Sequence, residues 1–146
     1  MFMTPCRIVG SLLLASAAVG VLAGCQQLAF LTNTGDPATW HLSDPTAVSS
    51  SSEQLHIEVT RLDCSGGETG EVLEPQVTYE AEQIIIRVDV VPISGLQTCP
   101  GNNAVPVTVQ LTEPIGSRSL IDGGCALEGV GTTAECLDSA VRYEGE

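Results

Sequence analysis

No lysine occurs among the 146 residues, and the five cations are all arginine: Arg7, Arg61, Arg87, Arg118 and Arg142. Set against eighteen Asp or Glu, they leave a formal charge of −13. A chain so short of positive charge has no surface with which to neutralise phosphates, which excludes nucleic acid as a partner. Aromatics are 3% of the residues, and Trp40, Tyr79 and Tyr143 are too scattered to form a platform for stacking sugars. Histidine is represented only by His41 and His56. The serines of the run 49–52 lack the Gly-x-Ser-x-Gly turn of a hydrolase nucleophile. The length allows one modest domain and excludes separate substrate and cofactor lobes.

What is present begins with an export layout. Arg7 is the only charge before Asp36, and an uncharged apolar stretch rich in Gly, Ala and Ser runs from Ile8 to Ala23. A short positive region followed by such a stretch is the pattern of a secretory signal helix. At about sixteen residues it lies near the lower limit for crossing ~30 Å of hydrocarbon, and its small residues make a poor permanent anchor.

The stretch closes on Leu22-Ala23-Gly24-Cys25, which resembles the lipobox of bacterial lipoproteins at all four positions. The resemblance implies a diacylglyceryl group on the Cys25 thiol and cleavage between Gly24 and Cys25. Small Ala23 and Gly24 suit a protease that must reach the backbone, and only a thiol supplies the sulfur of a thioether. Two acyl chains, at ~0.8 kcal/mol per buried methylene, hold a protein on a bilayer on cellular times. Cleavage removes one cation, Arg7, and no acid, so the mature chain is one unit more negative than −13. The expected organisation is a signal peptide over 1–24, a lipidated N-terminus with a flexible tether over 25–53, and a folded domain over 54–146. The expected location is the extracytoplasmic face of the cell membrane, with membrane lipid as the partner of acylated Cys25.

Cys6 leaves with the signal and Cys25 is alkylated, so Cys64, Cys99, Cys125 and Cys136 remain, an even set in an exported chain. None of these has the close spacing of a zinc knuckle, and disulfides are expected. Three connectivities are possible. Gly129 and Gly131 in the short loop favour closure of Cys125 with Cys136, which leaves Cys64 for Cys99. Loops of these lengths contribute ~3–4 kcal/mol each in the chain-entropy model, comparable to the whole stability of a small domain.

From Gln54 onward the apolar period is two. Leu55, Ile57 and Val59 alternate with His56, Glu58 and Thr60. Val77-Thr78-Tyr79 is a short second strand. Ile84, Ile86, Val88 and Val90 face one way and Ile85, Arg87, Asp89 and Val91 the other, the pattern of a strand covered on both sides. Val105 to Leu111 alternates again, with Pro106 making that end of the strand an edge or irregular because proline cannot donate to the ladder. Ser119-Leu120-Ile121 and Ala140-Val141-Arg142-Tyr143 complete the set. Gly- and Pro-rich turns separate these runs, and no helical period persists for three turns after Cys25. The fold class expected is all-β, a small antiparallel β-sandwich, immunoglobulin-like in architecture and stapled by two disulfides.

A series of short motifs in order adds a second resemblance: Cys64-Ser65-Gly66-Gly67, Thr98-Cys99-Pro100-Gly101-Asn102, Val107-Thr108-Val109-Gln110-Leu111, Glu113-Pro114-Ile115-Gly116-Ser117-Arg118 and Leu120-Ile121-Asp122-Gly123. Over roughly residues 55 to 136 the chain is similar to a group of uncharacterised small exported proteins and lipoprotein domains of actinobacteria. That resemblance implies a secreted β-domain with Cys64 bonded near Cys99, and no activity. Ser117 stands where that group often carries an acid.

The remaining candidates are few. His56 reads as a surface histidine on a strand. Asp63, Glu68, Glu71 and Glu74 crowd one Gly-rich loop, without the ligand spacing of an EF-hand, and read as solvated acids. Arg118, between Glu113 and Asp122, reads as half of an ion pair that pins a turn. Trp40 either folds back to cap the core or stands exposed for recognition. No catalytic residue, metal or cofactor is expected. The expected function is a non-enzymatic binding or accessory module for an unknown protein or envelope ligand, with Trp40, Asn102, Asn103 and Tyr143 as contact residues. The alternatives are an envelope-assembly factor or inhibitor that uses the Cys125–Cys136 loop, and, less favoured, a small hydrolase.

Overall fold

The computed structural model describes residues 35–145; Gly24, Cys25, the signal segment and the first part of the expected tether lie outside them. The described residues form β1 Asp36–Leu42, β2 Gln54–Arg61, β3 Gln76–Tyr79, β4 Gln83–Arg87, β5 Asp89–Val90, β6 Val105–Gln110, β7 Ser119–Asp122, β8 Val141–Tyr143 and one helix of four residues, α1 Ala134–Leu137. The strands make two four-stranded sheets, ordered β5-β1-β2-β6 and β3-β4-β7-β8. Residues from both sheets share one apolar core, so the architecture is an all-β sandwich.

Local patterning accounts for the core. In β2, Leu55, Ile57 and Val59 are fully buried while His56 and Glu58 are exposed, so a single strand face supplies three core side chains. In β4, Ile84 and Ile86 meet them from the other sheet. Trp40 lies at the centre with no exposed surface, and its indole Nε1–H donates to the Ile86 carbonyl at 2.9 Å across the two sheets. A buried indole needs such an acceptor, because its N–H has lost water.

The chain passes from β4 to β5 through Val88 alone and changes sheets there. Val88 is fully buried, and its carbonyl accepts from Ala38 N at 3.3 Å. On the far side of β5 the acidic loop covers the sheet edge: Leu73 N donates to Asp89 O and Val91 N to Glu71 O, both at 2.9 Å. The opposite edge is β6, with Pro106 paired against Glu58, so of the two expectations for that strand end the edge is the one found.

Both disulfides join the expected partners, Cys64 to Cys99 and Cys125 to Cys136, with Cα atoms 4.6 and 5.5 Å apart.

Two expectations are corrected. The folded body does not begin at residue 54: within the segment read as flexible tether, Asp36–Leu42 is a strand paired with β2 from Ala38↔Arg61 to Leu42↔Ile57. Its inward residues Ala38, Trp40 and Leu42 are buried, and that burial holds the segment on the sheet. Nor are all ladders antiparallel, because β4 and β7 run parallel from Gln83↔Ser119 to Ile86↔Asp122. The chain between them visits β5 and β6 of the other sheet before returning, and such a crossover permits parallel pairing.

Trp40→Ala should cost about 3–5 kcal/mol by opening a cavity and orphaning the Ile86 carbonyl. Urea unfolding followed by circular dichroism should show a lower midpoint. Trp40→Phe, which keeps most of the volume, should lose less.

Candidate functional site

The site is built around a carboxylate at the end of β7. Asp122 has no exposed surface, yet it makes four hydrogen bonds. Its Oδ1 accepts from Gly124 N at 3.0 Å and caps the 3-10 turn Gly123–Ala126. Its Oδ2 accepts from the Thr39 hydroxyl at 2.6 Å, Trp40 N at 3.1 Å and Arg142 Nη2 at 2.8 Å. The position follows from the sheet: β1 pairs with β5 only through Asp36 and Pro37. Beyond that point the edge of β1 has no strand beside it, and Asp122 supplies the acceptor that a strand would. Gly124 is required at this contact, since a Cβ there would lie 2.6 Å from the Ala38 carbonyl.

Arg142 reaches Asp122 from β8. Its side chain is 7% exposed, and Nη1 donates to Ser139 O at 2.9 Å while Nη2 also lies 3.2 Å from Glu135 O. Nη2 is 3.6 Å from Cys125 Sγ, so the Cys125–Cys136 bridge and α1 brace the guanidinium. The Nε–H of Arg142 has no acceptor.

Above this ion pair lies an open depression of about 410 Å³, lined among others by His41, Glu135, Asp138, Ser139 and Arg142. The His41 pKa is lowered from 6.5, first by partial burial and then by the Arg142 guanidinium, so the ring is neutral at pH 7. Glu58 stands opposite His41 on β2. Neither Glu135 nor Asp138 forms an ion pair among the described residues. The arginines there are committed elsewhere: Arg61 to Asp36, Arg87 to Asp89, Arg118 to Glu113 and Arg142 to Asp122.

The residues expected to contact a ligand are placed differently. Trp40 is a core residue, so an exposed recognition role is excluded by its burial. Asn102 donates to Arg61 O at 3.0 Å and Asp63 O at 2.8 Å and accepts from the Ser65 hydroxyl at 2.8 Å. Asn103 Oδ1 accepts from Thr69 N at 2.9 Å. Both amides therefore tie the loop after β2 to the loop that holds Cys99, beside buried Arg61. Tyr143 is half-buried and packs against the core. His56 lies on the open face of β2, 3.3 Å from the Thr108 hydroxyl. Arg118 pins its turn through Glu113 at 2.5 Å and the Ile115 carbonyl at 2.9 Å, with the Tyr79 ring 5.5 Å away. Among the described residues no three His, Cys, Asp or Glu side chains are placed to hold a metal.

Comparison with protein-family models, curated proteins and solved structures finds no match to this chain.

The sequence pattern puts Arg142 on the closing strand and Asp122 just after Ser119-Leu120-Ile121, and links neither to the other. The signal that would have found the acid is its place at a strand end before Gly123-Gly124, where a side-chain cap and a close backbone approach both fit. Nothing local in the sequence joins it to Arg142.

Asp122→Ala leaves a buried guanidinium unpaired and two backbone N–H groups without an acceptor. It should cost about 3–5 kcal/mol in denaturant unfolding. The lowered His41 pKa means that the folded chain binds fewer protons than the unfolded one below 6.5. Stability should therefore fall as pH drops from above 6.5 through the folded value, and His41→Gln should flatten that part of a stability–pH curve.

Proposed function

We propose that this chain is a lipid-anchored module on the extracytoplasmic face of the cell membrane, held there by a diacylglyceryl group on Cys25, that binds an envelope partner without catalysing a reaction. The observation that carries this reading is the pair of closed disulfides, Cys64–Cys99 and Cys125–Cys136, in a chain that opens with an export layout ending in Leu22-Ala23-Gly24-Cys25. Disulfides persist in oxidising compartments and are rare where thiols are kept reduced. The non-catalytic part rests on hydrogen bonding: His56 stands on an open strand face, and in the depression that gathers His41, Asp138 and Ser139 the Ser139 hydroxyl accepts from Val141 N at 2.9 Å and no hydrogen bond joins it to His41. With the arginines beyond the signal paired to acids, the surface offered to a partner is anionic.

A second reading, an inhibitor or envelope-assembly factor that presents the Cys125–Cys136 loop, is favoured by Leu137. This large apolar side chain is 68% exposed on α1, next to the bridge that stiffens the loop.

Cys25→Ser tests the anchor. The parent chain should lose residues 1–24, gain the mass of a diacylglyceryl group and enter the detergent phase on phase separation. The variant should keep its leader and gain no lipid. Identical masses and identical partitioning in both would overturn the reading.

A further inference from the structure

Leu96 is 106% exposed, against 68% for Leu137 and 39% for Ile93, so its side chain touches almost nothing of its own protein. One exposed leucine is ordinary by itself; here it coincides with a second feature, in the backbone. Leu96 lies in the connection between β5 and β6, where residues 92–101 are all exposed. Between Ile93 and Gln97 no backbone group bonds to another among the described residues. The Ser94 carbonyl accepts from the Gln97 side-chain amide at 3.4 Å. Gly95, at φ 99°, makes a turn open to glycine immediately before Leu96.

Both ends of this open segment are fixed. On the side of β5, Val91 N donates to Glu71 O at 2.9 Å, and the Val91 carbonyl accepts from buried Arg61. On the other side, Thr98 O accepts from Gly66 N at 2.9 Å, and Cys99 is bonded to Cys64. Asn102 ties Arg61 O to Asp63 O, and Asn103 N donates to Gly67 O at 3.0 Å. Leu96 therefore sits on a short arch whose backbone is unpaired and whose feet are held. Leu137 has no such setting, because its N–H is bonded to Thr133 O at 2.9 Å in α1.

We propose that the arch 94–98 is a substrate-like inhibitory loop for a serine endopeptidase with an apolar primary pocket, and that Leu96 is the side chain that enters it. Such enzymes take an extended segment, pair with its backbone and select it by one side chain in a pocket. The backbone groups of Ile93 to Gln97 are free for that pairing, and Leu96 is free for the pocket. What separates an inhibitor from a substrate is the fate of the cut ends. The enzyme hydroxyl forms an ester with the Leu96 carbonyl, the Leu96–Gln97 peptide bond breaks, and the hydroxyl proton passes to the Gln97 amine. Thr98 and the Cys64–Cys99 bridge hold that amine in place, so it re-forms the peptide bond and returns the hydroxyl instead of departing. Exposed Asp63, Glu68 and Glu71, beside the Cys64 foot, form no ion pair among the described residues and favour an enzyme with a cationic rim. The inference rests on the binding-module reading, whose partner class it names, and is independent of the anchor at Cys25.

The test is hydrolysis of chromogenic peptides by chymotrypsin, subtilisin and trypsin, titrated with the full chain purified in detergent micelles. Chymotrypsin or subtilisin, both of which accept leucine, should be inhibited competitively, and trypsin, which requires a cationic side chain, should not. Leu96→Asp should weaken the inhibition about a hundredfold, Leu96→Arg should transfer it to trypsin, and Leu137→Asp should leave it unchanged. The Leu96 variants should keep the parent's urea midpoint, since that side chain packs against nothing. Long incubation should give a single cut between Leu96 and Gln97, in fragments that separate only when Cys64–Cys99 is reduced. No inhibition of chymotrypsin or subtilisin, inhibition that survives Leu96→Asp, or cleavage of the arch at the rate of an ordinary substrate would overturn the proposal and leave the binding-module reading in place. Hydrolysis of the peptides by the chain without added enzyme would overturn the binding-module reading instead.

Discussion

The structure depends on one carboxylate that never meets water. Asp122 joins β7 in one sheet to the backbone of β1 in the other, closes the 3-10 turn that follows it, and holds Arg142 of β8. A buried charge of this kind is tolerated only when its oxygens are filled by donors, and here backbone N–H groups, a hydroxyl and a guanidinium fill them. The same carboxylate closes a gap in the sandwich. Because β5 accompanies β1 for only two residues, the rest of that edge would otherwise be left with unpaired backbone groups. The depression lined by His41, Glu135 and Arg142 lies over this junction, so its floor is among the most constrained parts of the domain.

The charge distribution follows from the same economy of cations. Arg61 and Arg87 are buried, and Arg142 nearly so, each against an aspartate. Arg61 also donates to Thr69 O at 3.1 Å and binds the Val91 carbonyl, so it gathers the ends of β2, β5 and the acidic loop. Such buried pairs contribute little net stability, since desolvation offsets much of their attraction, but each fixes which segments lie together. With Arg61, Arg87 and Arg142 spent inside and Arg118 paired to Glu113, the remaining surface acids have no arginine partner among the described residues, and the surface is anionic. In the anchored arrangement proposed above, an anionic body beside an anionic bilayer would be held away from the lipid surface by its own charge.

Much of the fold was legible residue by residue. Alternation in Leu55–Val59 and Val105–Leu111 located β2 and β6, whereas the run Ile84–Val90, which reads as one central strand, is divided at Val88 between β4 and the edge strand β5 of the other sheet. The cysteine pairing was legible because a short glycine-containing loop leaves one sensible partner for each thiol. β1 was passed over although Ala38, Trp40 and Leu42 alternate, because Pro37 and Ala38 are weak strand formers and the run sits among turn residues. The candidate site was mostly hidden. Asn102 and Asn103 looked like display residues because Pro-Gly-Asn-Asn reads as an exposed turn, and their amides turned out to serve the backbone at Arg61, Asp63 and Thr69.

Strand positions, their buried faces and the disulfide partners were determined by the sequence itself, because alternation and loop length act over a few neighbouring residues. The partner of Asp122, the parallel placing of β7 beside β4, and the depression shared by His41, Glu135 and Arg142 were decided only by the tertiary structure. Those features join residues 20 to more than 80 positions apart. A buried carboxylate accepts whichever donors the packed sheets bring to it, and no local pattern of side chains specifies that meeting.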